Sequence, residues 1–536
     1  MAPPSQPAWW HTGVIYQIYP RSWADADGDG IGDLEGIISR LDHLSDTLGV
    51  DSLWLSPFYR SPQADFGYDV SDHCDVDPMF GTLEDFDRLV AEAHRRGLRV
   101  IVDFVPNHTS DRHPWFLESR SGRDSVRRDW YVWRDPGPDG GPPNNWVSHF
   151  GGSAWTFDEA SGQYYLHLFL AEQPDLNWRN PEVERAMHDV LRFWMDRGVD
   201  GFRIDVAHAI AKDPLLRDNP PAEIPDDGYK ISAEFSSQRH VHDMADPDIH
   251  PMFRKIRRVV DGHPDGVDRY TVGEIHEFDW SRWASYYGED LDELHQPYNF
   301  GLLLTGLDPA KIREAIVGIE EALPPGAWPN WVLGNHDEPR IVTRFGWEAS
   351  KAAAVLLLTL RGTPTIYQGD EIGMEDLDIP PERQQDPWGR RMPGFGRDGC
   401  RTPMQWTGAE HAGFSPPGTR STWLPVHPDY RRRNVAVQLG DPDSHLSLYR
   451  RLLRLRRSRP VLQLGDIELV GDAPNPLVYR RTLAGAEPVW VVLNLSDGEA
   501  PVPSQVEGGV LVGTRRDREG APSPRRLRPW EAVVVG

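Results

Sequence analysis

Residues 83–108 have the sequence LEDFDRLVAEAHRRGLRVIVDFVPNH, in which a helical pattern leads into a short apolar strand. The helical pattern ends at Gly97, and the strand pattern is Arg99–Phe104. The same order returns with a helix at Pro181–Arg197 and a strand at Gly201–Val206. Proline at the start of a helix and glycine at its end are typical helix boundaries. Helices that alternate with strands predict parallel βα units.

Further strand patterns extend this series in both directions along the chain. They are Val14–Tyr19, Ser52–Leu55, Tyr270–Gly273, Trp331–Leu333 and Thr365–Tyr367. About eight such units predict an α/β fold, a (β/α)8 TIM barrel, rather than a doubly wound sheet. The chain has 536 residues, and because an ordinary barrel needs only about 250, insertions and a further domain are expected.

Changes in the pattern predict three regions. The barrel is expected at residues 1–106 and 179–460, and a subdomain B is inserted after the third strand at residues 107–178, where Gly, Pro and Asn interrupt the alternation. From residue 461 to 536 the period becomes that of strands, with a hairpin formed by Leu477–Leu483 and Val489–Leu495. A C-terminal β-sandwich domain is therefore predicted.

Composition excludes several classes of protein. The chain carries 57 Lys and Arg against 82 Asp and Glu, a net charge of −25, which argues against nucleic acid or an anionic membrane as a partner. Two cysteines exclude a disulfide scaffold. No signal peptide and no apolar run of about 18 residues is found. We therefore expect a cytoplasmic protein without a membrane partner, and its oligomeric state is left open.

Polar side chains accumulate where the predicted strands end. They are Asp103, Asn107 and His108; Arg203 and Asp205; Glu274; and Asn335, His336 and Asp337. The carboxyl ends of barrel strands meet at one face, and this face carries the active site of such barrels. A single acid at one strand end is commonly a helix cap, but three acids after three strands, with histidines and an arginine beside them, predict a catalytic site.

Several motifs resemble the conserved regions of the α-amylase family of glycoside hydrolases. They are DFVPNH at 103–108, GFRID at 201–205, VGE at 272–274 and LGNHD at 333–337. QPDLNW at 173–178 is similar to the motif of the family's oligo-1,6-glucosidase and α-glucosidase branch. The resemblance extends from about Ile15 through RTPMQW at 401–406. Two segments depart from the branch: GEIHEFD at 273–279, and Glu338 where many relatives have Gln.

The resemblance implies a role for each carboxyl group. Asp205 would be the nucleophile, Glu274 the general acid and then the base, and Asp337 the residue that holds sugar hydroxyls and stabilises the oxocarbenium-like transition state. Retaining hydrolysis requires one ionised and one protonated carboxyl at the same pH. Arg203 lies two residues before Asp205 on a strand and points to the same side, so it is expected to keep the nucleophile ionised.

The resemblance also implies a set of sugar-binding residues. Tyr68 would stack under the first glucose, and Asp65 would pair with Arg401 to close the end of the pocket, a task that suits a bidentate arginine–carboxylate pair. The remaining members would be His108 and His336, which hydrogen-bond glucose hydroxyls, Phe169 and Gln173, which line the same subsite, and Val206. In the resembling branch Val at this position accompanies α-1,6 action.

The segment DADGDGIGD, residues 25–33, places oxygen ligands at alternate positions. They are Asp25, Asp27, Asp29, the carbonyl of Ile31 and Asp33, an oxygen set that suits Ca²⁺. The loop is not an EF-hand, since its twelfth position is Gly36. The family has a lone Ca²⁺ site at the matching loop, which implies a structural metal; an acidic turn without metal is the alternative. No His or Cys joins the cluster, which argues against zinc.

Together these features predict an exo-acting retaining α-glucosidase that releases glucose from the non-reducing end of oligosaccharides or disaccharides. Isomaltose-type α-1,6 linkages are the expected substrates, and α-1,4 linkages remain open. The alternative on the same fold is a transglucosylase or sugar isomerase of the sucrose isomerase or trehalose synthase type. A non-catalytic relative is disfavoured, because the chain has all three acids and no anchor.

Overall fold

The computed structural model describes residues 7–223 and 232–536. Eight parallel strands form its central sheet, which we label in chain order β1 Ile15–Ile18, β2 Ser52–Leu55, β3 Arg99–Phe104, β4 Gly201–Ile204, β5 Tyr270–Glu274, β6 Gln296–Tyr298, β7 Asn330–Val332 and β8 Thr363–Tyr367. Hydrogen-bonded neighbours follow the order β6-β5-β4-β3-β2-β1-β8-β7. The predicted (β/α)8 barrel is thereby confirmed.

The barrel closes between β6 and β7 through side chains. The amide nitrogen of Asn299 donates to Oδ1 of Asn330 at 3.0 Å, and Nδ2 of Asn330 donates to the carbonyl of Pro297 at 2.5 Å. Nδ2 of Asn299 returns a bond to the carbonyl of Asn330 at 2.8 Å. Pro297 has no N–H for a backbone ladder, so these amide side chains satisfy the groups at the seam.

The barrel strands are buried on both faces, which explains their nearly continuous apolar sequences. On β3, Val100 and Val102 pack against the surrounding helices. Ile101 instead packs inside the barrel with Ile15, Trp54 and Val272. Alternate side chains thus fill the interior and the outer layer. The next inward position after Ile101 on β3 is Asp103, at the carboxyl end where the interior opens.

Helices surround the barrel, with the longer ones at α1 Leu83–Arg95, α2 Pro181–Asp196, α3 Ile249–Asp261, α4 Pro309–Ala322, α5 Trp347–Thr359 and α6 His445–Ser458. Between β1 and β2 lie an α-helix at Leu34–Ser39 and a π-helical segment at His43–Leu48. The Oδ1 atom of Asp33 caps the α-helix by accepting the amide of Gly36. In the described residues, no helix is long and apolar enough to cross a membrane.

The segment after β3 contains a three-stranded sheet of Trp133–Arg134, Gln163–Leu166 and Trp155–Asp158. At the other end of the chain lies an antiparallel sheet of five strands: β9 Asp466–Leu469, β10 Leu477–Thr482, β11 Val489–Leu493, β12 Val510–Gly513 and β13 Ala532–Val535. Its outer face packs against Val506 and Leu527, the latter in a separate two-stranded sheet. The C-terminal β domain and its hairpin are therefore confirmed, while the exact domain boundaries stay predictions.

Candidate active site

Three carboxyl groups from neighbouring strand ends converge on one guanidinium. Nη1 of Arg203 donates to Oδ1 of Asp205 at 2.7 Å and to Oδ1 of Asp103 at 3.0 Å, while its Nη2 donates to Oε2 of Glu274 at 2.5 Å. Asp103 and Glu274 are at the ends of β3 and β5, and Asp205 is the first residue after β4. All four side chains are buried, so the barrel assembles the predicted nucleophile and acid around Arg203.

The charges at this centre do not balance, because one guanidinium faces three carboxyl groups. Burial raises the pKa of Asp205, and the charges of Glu274 and Asp103 raise it further despite Arg203. Burial also acts on Glu274, but Arg203 and His276 outweigh it and hold the pKa of Glu274 well below its usual range. The two groups therefore titrate as one pair. Arg203 binds both carboxyl groups, and its expected role in keeping Asp205 ionised stays a prediction.

Asp337, after β7, has a different environment. Its Oδ1 accepts bonds from Nη2 of Arg401 at 2.8 Å and from Nη1 of Arg397 at 3.2 Å, and its Oδ2 lies 3.3 Å from Nε2 of His336. Burial would raise the pKa of Asp337, but His336 and the two arginines hold that pKa far below its usual range. The surroundings of Asp337 therefore favour its ionised form, which suits the role predicted for it.

The predicted pair of Asp65 with Arg401 requires correction. Oδ1 of Asp65 accepts from Nη2 of Arg397 at 2.6 Å, and Arg397 also binds Asp386 at 2.7 Å. Arg401 instead donates to Asp337 and, through Nε, to the carbonyl of His336 at 2.7 Å. Arg397 and Arg401 are four residues apart in GRDGCRTPMQW. The sequence places both arginines close together, but only the fold shows which of them reaches Asp65.

The other predicted sugar contacts form a connected layer. The hydroxyl of Tyr68 lies 2.7 Å from Nε2 of His336. The other ring nitrogen of His336, Nδ1, lies 2.7 Å from the side-chain Nε2 of Gln17. Nε2 of Gln173 contacts Nε2 of His108 at 3.1 Å and Oδ2 of Asp65 at 3.3 Å. Tyr68, His108 and Gln173 line the pocket. Both nitrogens of His336 have protein partners, Tyr68 and Gln17, and its hydrogen bond to glucose stays a prediction.

Val206 lines the pocket next to Asp205 and has an unusual backbone conformation. Its φ is +33° and its ψ is +48°, in the left-handed region that β-branched residues rarely adopt. The predicted strand therefore ends at Ile204 rather than at Val206. The turn directs the amide of Val206 to Oε2 of Glu274 at 3.0 Å. The side chain packs with Leu168 and lines the pocket, as does Phe169.

Several pocket residues were missed by the sequence analysis. They are the aromatic residues Phe235, Phe278, Phe300 and Trp388 and the histidines His149, His208 and His276. Most lie in irregular segments without a strand or helix period, so no pattern marked them. His276 is an exception: it lies two residues after Glu274, a spacing that points to the same side of an extended chain. Its Nε2 lies 3.0 Å from Oε1 of Glu274.

The acidic turn before the first barrel helix brings together part of the predicted metal set. Carboxylate oxygens of Asp25, Asp27 and Asp29 lie within 4.8 Å of one another. Burial and the charges of Asp27 and Asp25 raise the pKa of Asp29. Such crowding of negative charge suits a bound cation. Asp33 is not part of this group of carboxylates, and its oxygens accept the amides of Gly36 and Ala26. The carboxylates that converge are therefore the first three, and the Ca²⁺ ion and the Ile31 carbonyl as its ligand stay predictions.

Comparison with known proteins defines the class of this fold and site. The family model described as "Alpha amylase, catalytic domain" matches residues 17–465. The chain therefore belongs to the α-amylase family of glycoside hydrolases. Within that family, it is 46% identical to a probable α-glucosidase of Rhizobium meliloti (strain 1021), over 92% of this chain and 90% of the relative. It is 39% identical to an oligo-1,6-glucosidase of Parageobacillus thermoglucosidasius, over 98% of each.

Solved structures with the same architecture include enzymes with other names. One is an α-glucosyl transfer enzyme, XgtA, with a TM-score of 0.92, 42% identity and 99% of each chain covered. Another is the trehalulose synthase MutB from Pseudomonas mesoacidophila MX-45, with a TM-score of 0.88, 34% identity and 99% of each chain covered. Hydrolases, transferases and isomerases thus share this fold, so the outcome of the reaction depends on the pocket.

Proposed function

We propose that this protein is an exo-acting retaining α-glucosidase that releases glucose from short α-glucosides. The observation that carries the proposal is the joint binding of Asp205 and Glu274 by Arg203, opposite the anion of Asp337. Two carboxyl groups held close together by one guanidinium suit retention of configuration, in which one attacks the sugar directly. The α-glucosidase and oligo-1,6-glucosidase names of the relatives support the substrate class.

The residues divide the reaction between them. Asp205 attacks the anomeric carbon and forms a β-glucosyl ester, while Glu274 gives its proton to the departing oxygen. Water then gives a proton to Glu274 and its hydroxide to the anomeric carbon, which releases Asp205. In both steps, Asp337 stabilises the positive charge that develops on the sugar. The positive charge that develops on the sugar favours the ionised form of Asp205, the form that attacks.

Exo action is proposed from the ion pair at the end of the pocket. Arg397 joins Asp65, Asp337 and Asp386, and the side chains of Arg397 and Asp65 are buried. Such a wall would bind the hydroxyls of the non-reducing glucose and leave no room for a preceding unit. Polymers such as starch are then poor substrates, and disaccharides and short oligosaccharides are good ones.

Isomaltose-type α-1,6 linkages are the proposed preference, with α-1,4 linkages open as a second substrate. The support is Val206, whose branched side chain lies on the pocket wall directly after the nucleophile. A branched wall narrows the space for a rigid α-1,4-linked acceptor, whereas the additional carbon of a 1,6 linkage lets the acceptor turn aside. Small steric differences of this kind change discrimination by about 1–3 kcal/mol.

Transfer to a sugar instead of water is the second candidate, as a transglucosylase or sugar isomerase. It is favoured by the architecture shared with XgtA and MutB and by the aromatic side chains of Phe235, Phe278 and Phe300 on the pocket. Aromatic faces retain an acceptor sugar and exclude water. The carboxyl groups are the same in both candidates, so only the products distinguish them.

We also propose a structural Ca²⁺ ion at the acidic turn, held by Asp25, Asp27 and Asp29. Hard carboxylate oxygens are the ligands that Ca²⁺ prefers, and the three converge within 4.8 Å. The ion would compensate the repulsion among these carboxylates and stiffen the turn before Leu34–Ser39. It would take no part in the reaction.

The test is a panel of α-linked glucose disaccharides, assayed for glucose and for new disaccharides, with wild type, Asp205→Asn and Glu274→Gln. Wild type should release mainly glucose, with retained configuration in the first product. Asp205→Asn should be inactive, and Glu274→Gln should lose about 10²–10⁴ in rate on disaccharides but less on 4-nitrophenyl α-glucoside, whose leaving group needs no proton. Equal losses of Glu274→Gln on both substrates would refute its role, and mainly disaccharide products would establish transfer.

A further inference from the structure

The two oxygens of Glu274 face different kinds of group. Oε2 accepts from Nη2 of Arg203 at 2.5 Å and from the amide of Val206 at 3.0 Å. Neither partner can accept a proton, so Oε2 is held as an acceptor. Oε1 lies 3.0 Å from Nε2 of His276. The proton that Glu274 delivers must therefore reside on Oε1, within hydrogen-bond distance of an imidazole nitrogen.

The imidazole of His276 is held in place at the boundary between the buried acid and the open pocket. Its ring stacks on Phe300 with centroids 4.5 Å apart and planes 17° apart, and it lies 5.4 Å from the ring of His208. The side chain of His276 is 23% exposed, against 9% for that of Glu274. The ring thus lies between the buried carboxyl group of Glu274 and the more open part of the pocket.

Other ionisable groups around His276 have different partners. Nδ1 of His208 contacts the main-chain oxygen of Glu274 at 3.2 Å, not its carboxyl group. Burial lowers the pKa of His208 to about 4, and burial lowers that of His149 to about 3, so both are neutral near pH 7. The charged groups that share this part of the pocket include Arg203, Asp205, Asp337 and Glu338. Among the described residues, His276 is the histidine that the geometry places on the acid's free oxygen.

We infer that His276 is a positioning residue that stores the proton of the general acid, an inference that rests on the proposed role of Glu274. In the free enzyme, the imidazolium of His276 donates from Nε2 to the ionised Oε1 of Glu274. When substrate binds, this proton moves to Oε1, and Glu274 passes it to the departing oxygen as the glycosidic bond breaks. In the second step, water returns a proton to Glu274 and then to His276, so the cycle balances.

The experiment measures kcat/KM against pH for wild type and His276→Gln with isomaltose and with 4-nitrophenyl α-glucoside. In wild type the last proton is shared by Glu274 and His276, and an imidazole keeps a proton to higher pH than a carboxyl group does. In His276→Gln the carboxyl group carries that proton alone and loses it at lower pH. The basic limb of the isomaltose profile should therefore move to lower pH, and the rate at pH 7 should fall about tenfold or more. The aryl glucoside should lose much less, because its leaving group departs without a proton.

Two further variants separate proton storage from a structural effect. His276→Phe keeps the ring on Phe300 but has no nitrogen, and its basic limb should move as in His276→Gln. His208→Gln removes the neighbouring imidazole, which faces only a carbonyl, and should leave the basic limb in place whatever it does to the rate. Unchanged limbs in both His276 variants would overturn the inference. A Glu274→Gln enzyme with full isomaltose activity would instead overturn the proposed function.

Discussion

At the residue scale, the side chain and the main chain of Val206 face different parts of the catalytic site. The amide, turned by a φ of +33°, binds Oε2 of Glu274. The side chain forms part of the pocket wall. A substitution that keeps a side chain can therefore change the acceptor space and leave the bond to Glu274 in place.

This separation predicts the effect of Val206→Ala. The smaller side chain widens the wall, so the ratio of kcat/KM for isomaltose to that for maltose should fall, by a factor that corresponds to about 1–3 kcal/mol. Steady-state kinetics on both disaccharides measures the ratio, and 4-nitrophenyl α-glucoside, which has no sugar acceptor, serves as the internal control. If the ratio stays the same while the aryl glucoside is cleaved normally, Val206 is only a packing residue.

At the element scale, the acidic turn illustrates how similar carboxylates acquire different tasks. Asp33 is the N-cap of Leu34–Ser39 and accepts the amide of Gly36 at 2.6 Å. Asp29 accepts only the nearby amide of Ile31 at 2.7 Å and converges with Asp25 and Asp27. Capping of the helix thus accounts for the carboxylate of Asp33, the last of the predicted ligands, without a metal.

The difference predicts distinct melting behaviour for two variants. Saturating Ca²⁺ should raise the Tm of wild type, since an ion at about 100 times its Kd adds about 2.7 kcal/mol to the folded state. Asp29→Ala should lose this response. Asp33→Ala should lose about 1 kcal/mol of cap stability with and without Ca²⁺, yet keep the response. Calorimetry after chelation and after Ca²⁺ addition decides, and an Asp29→Ala protein that still responds to Ca²⁺ would contradict the proposed ligand set.

At the scale of the whole molecule, the C-terminal sheet is joined to the barrel by buried arginines. Arg481 on β10 donates to the carbonyls of Thr359, Leu462 and Gly465 at 2.6, 3.1 and 2.7 Å. Thr359 ends α5, where the last carbonyls of the helix have no partner within it. Burial lowers the pKa of Arg481 to about 9, so at neutral pH it remains a cation, at the negative end of the helix dipole.

We predict that Arg481→Met destabilises the protein without slowing the reaction that it catalyses. A buried carbonyl that loses its donor costs about 1–3 kcal/mol, so Tm should fall. The kcat/KM at 25 °C should stay the same, because the partners of Arg481, namely Thr359, Leu462 and Gly465, do not line the pocket. Arg480→Met is the matched control: Arg480 is half-buried, pairs with exposed Glu468 and lies over the ring of Trp490, contacts worth about 0–1 kcal/mol each. A higher Tm for Arg481→Met would show that burying its charge costs more than its hydrogen bonds contribute.

Seven of the eight barrel strands could be predicted because each is a short apolar run between helices. The sixth, Gln296–Tyr298, has only three residues and a central proline, so its sequence has no strand period. The meeting of Asp103, Asp205 and Glu274 could be predicted as well, since a parallel barrel brings all strand ends to one face whatever the details of the loops. Local pattern and topology were sufficient for these features.

Contacts between distant segments were decided only by the tertiary structure. Arg397 and Arg401 are equivalent candidates in the sequence, and the path of the chain after β8 places Arg397 on Asp65 and Arg401 on Asp337. Likewise, the spacing of His276 from Glu274 indicates that both side chains point to the same side of the chain. That His276 meets Oε1 of Glu274 depends on Arg203 and Val206, which occupy Oε2. Sequence by itself determines which groups reach the strand ends, because that follows from periodicity. Which of them form pairs depends on distances of a few ångströms between separate elements, and packing alone sets those distances.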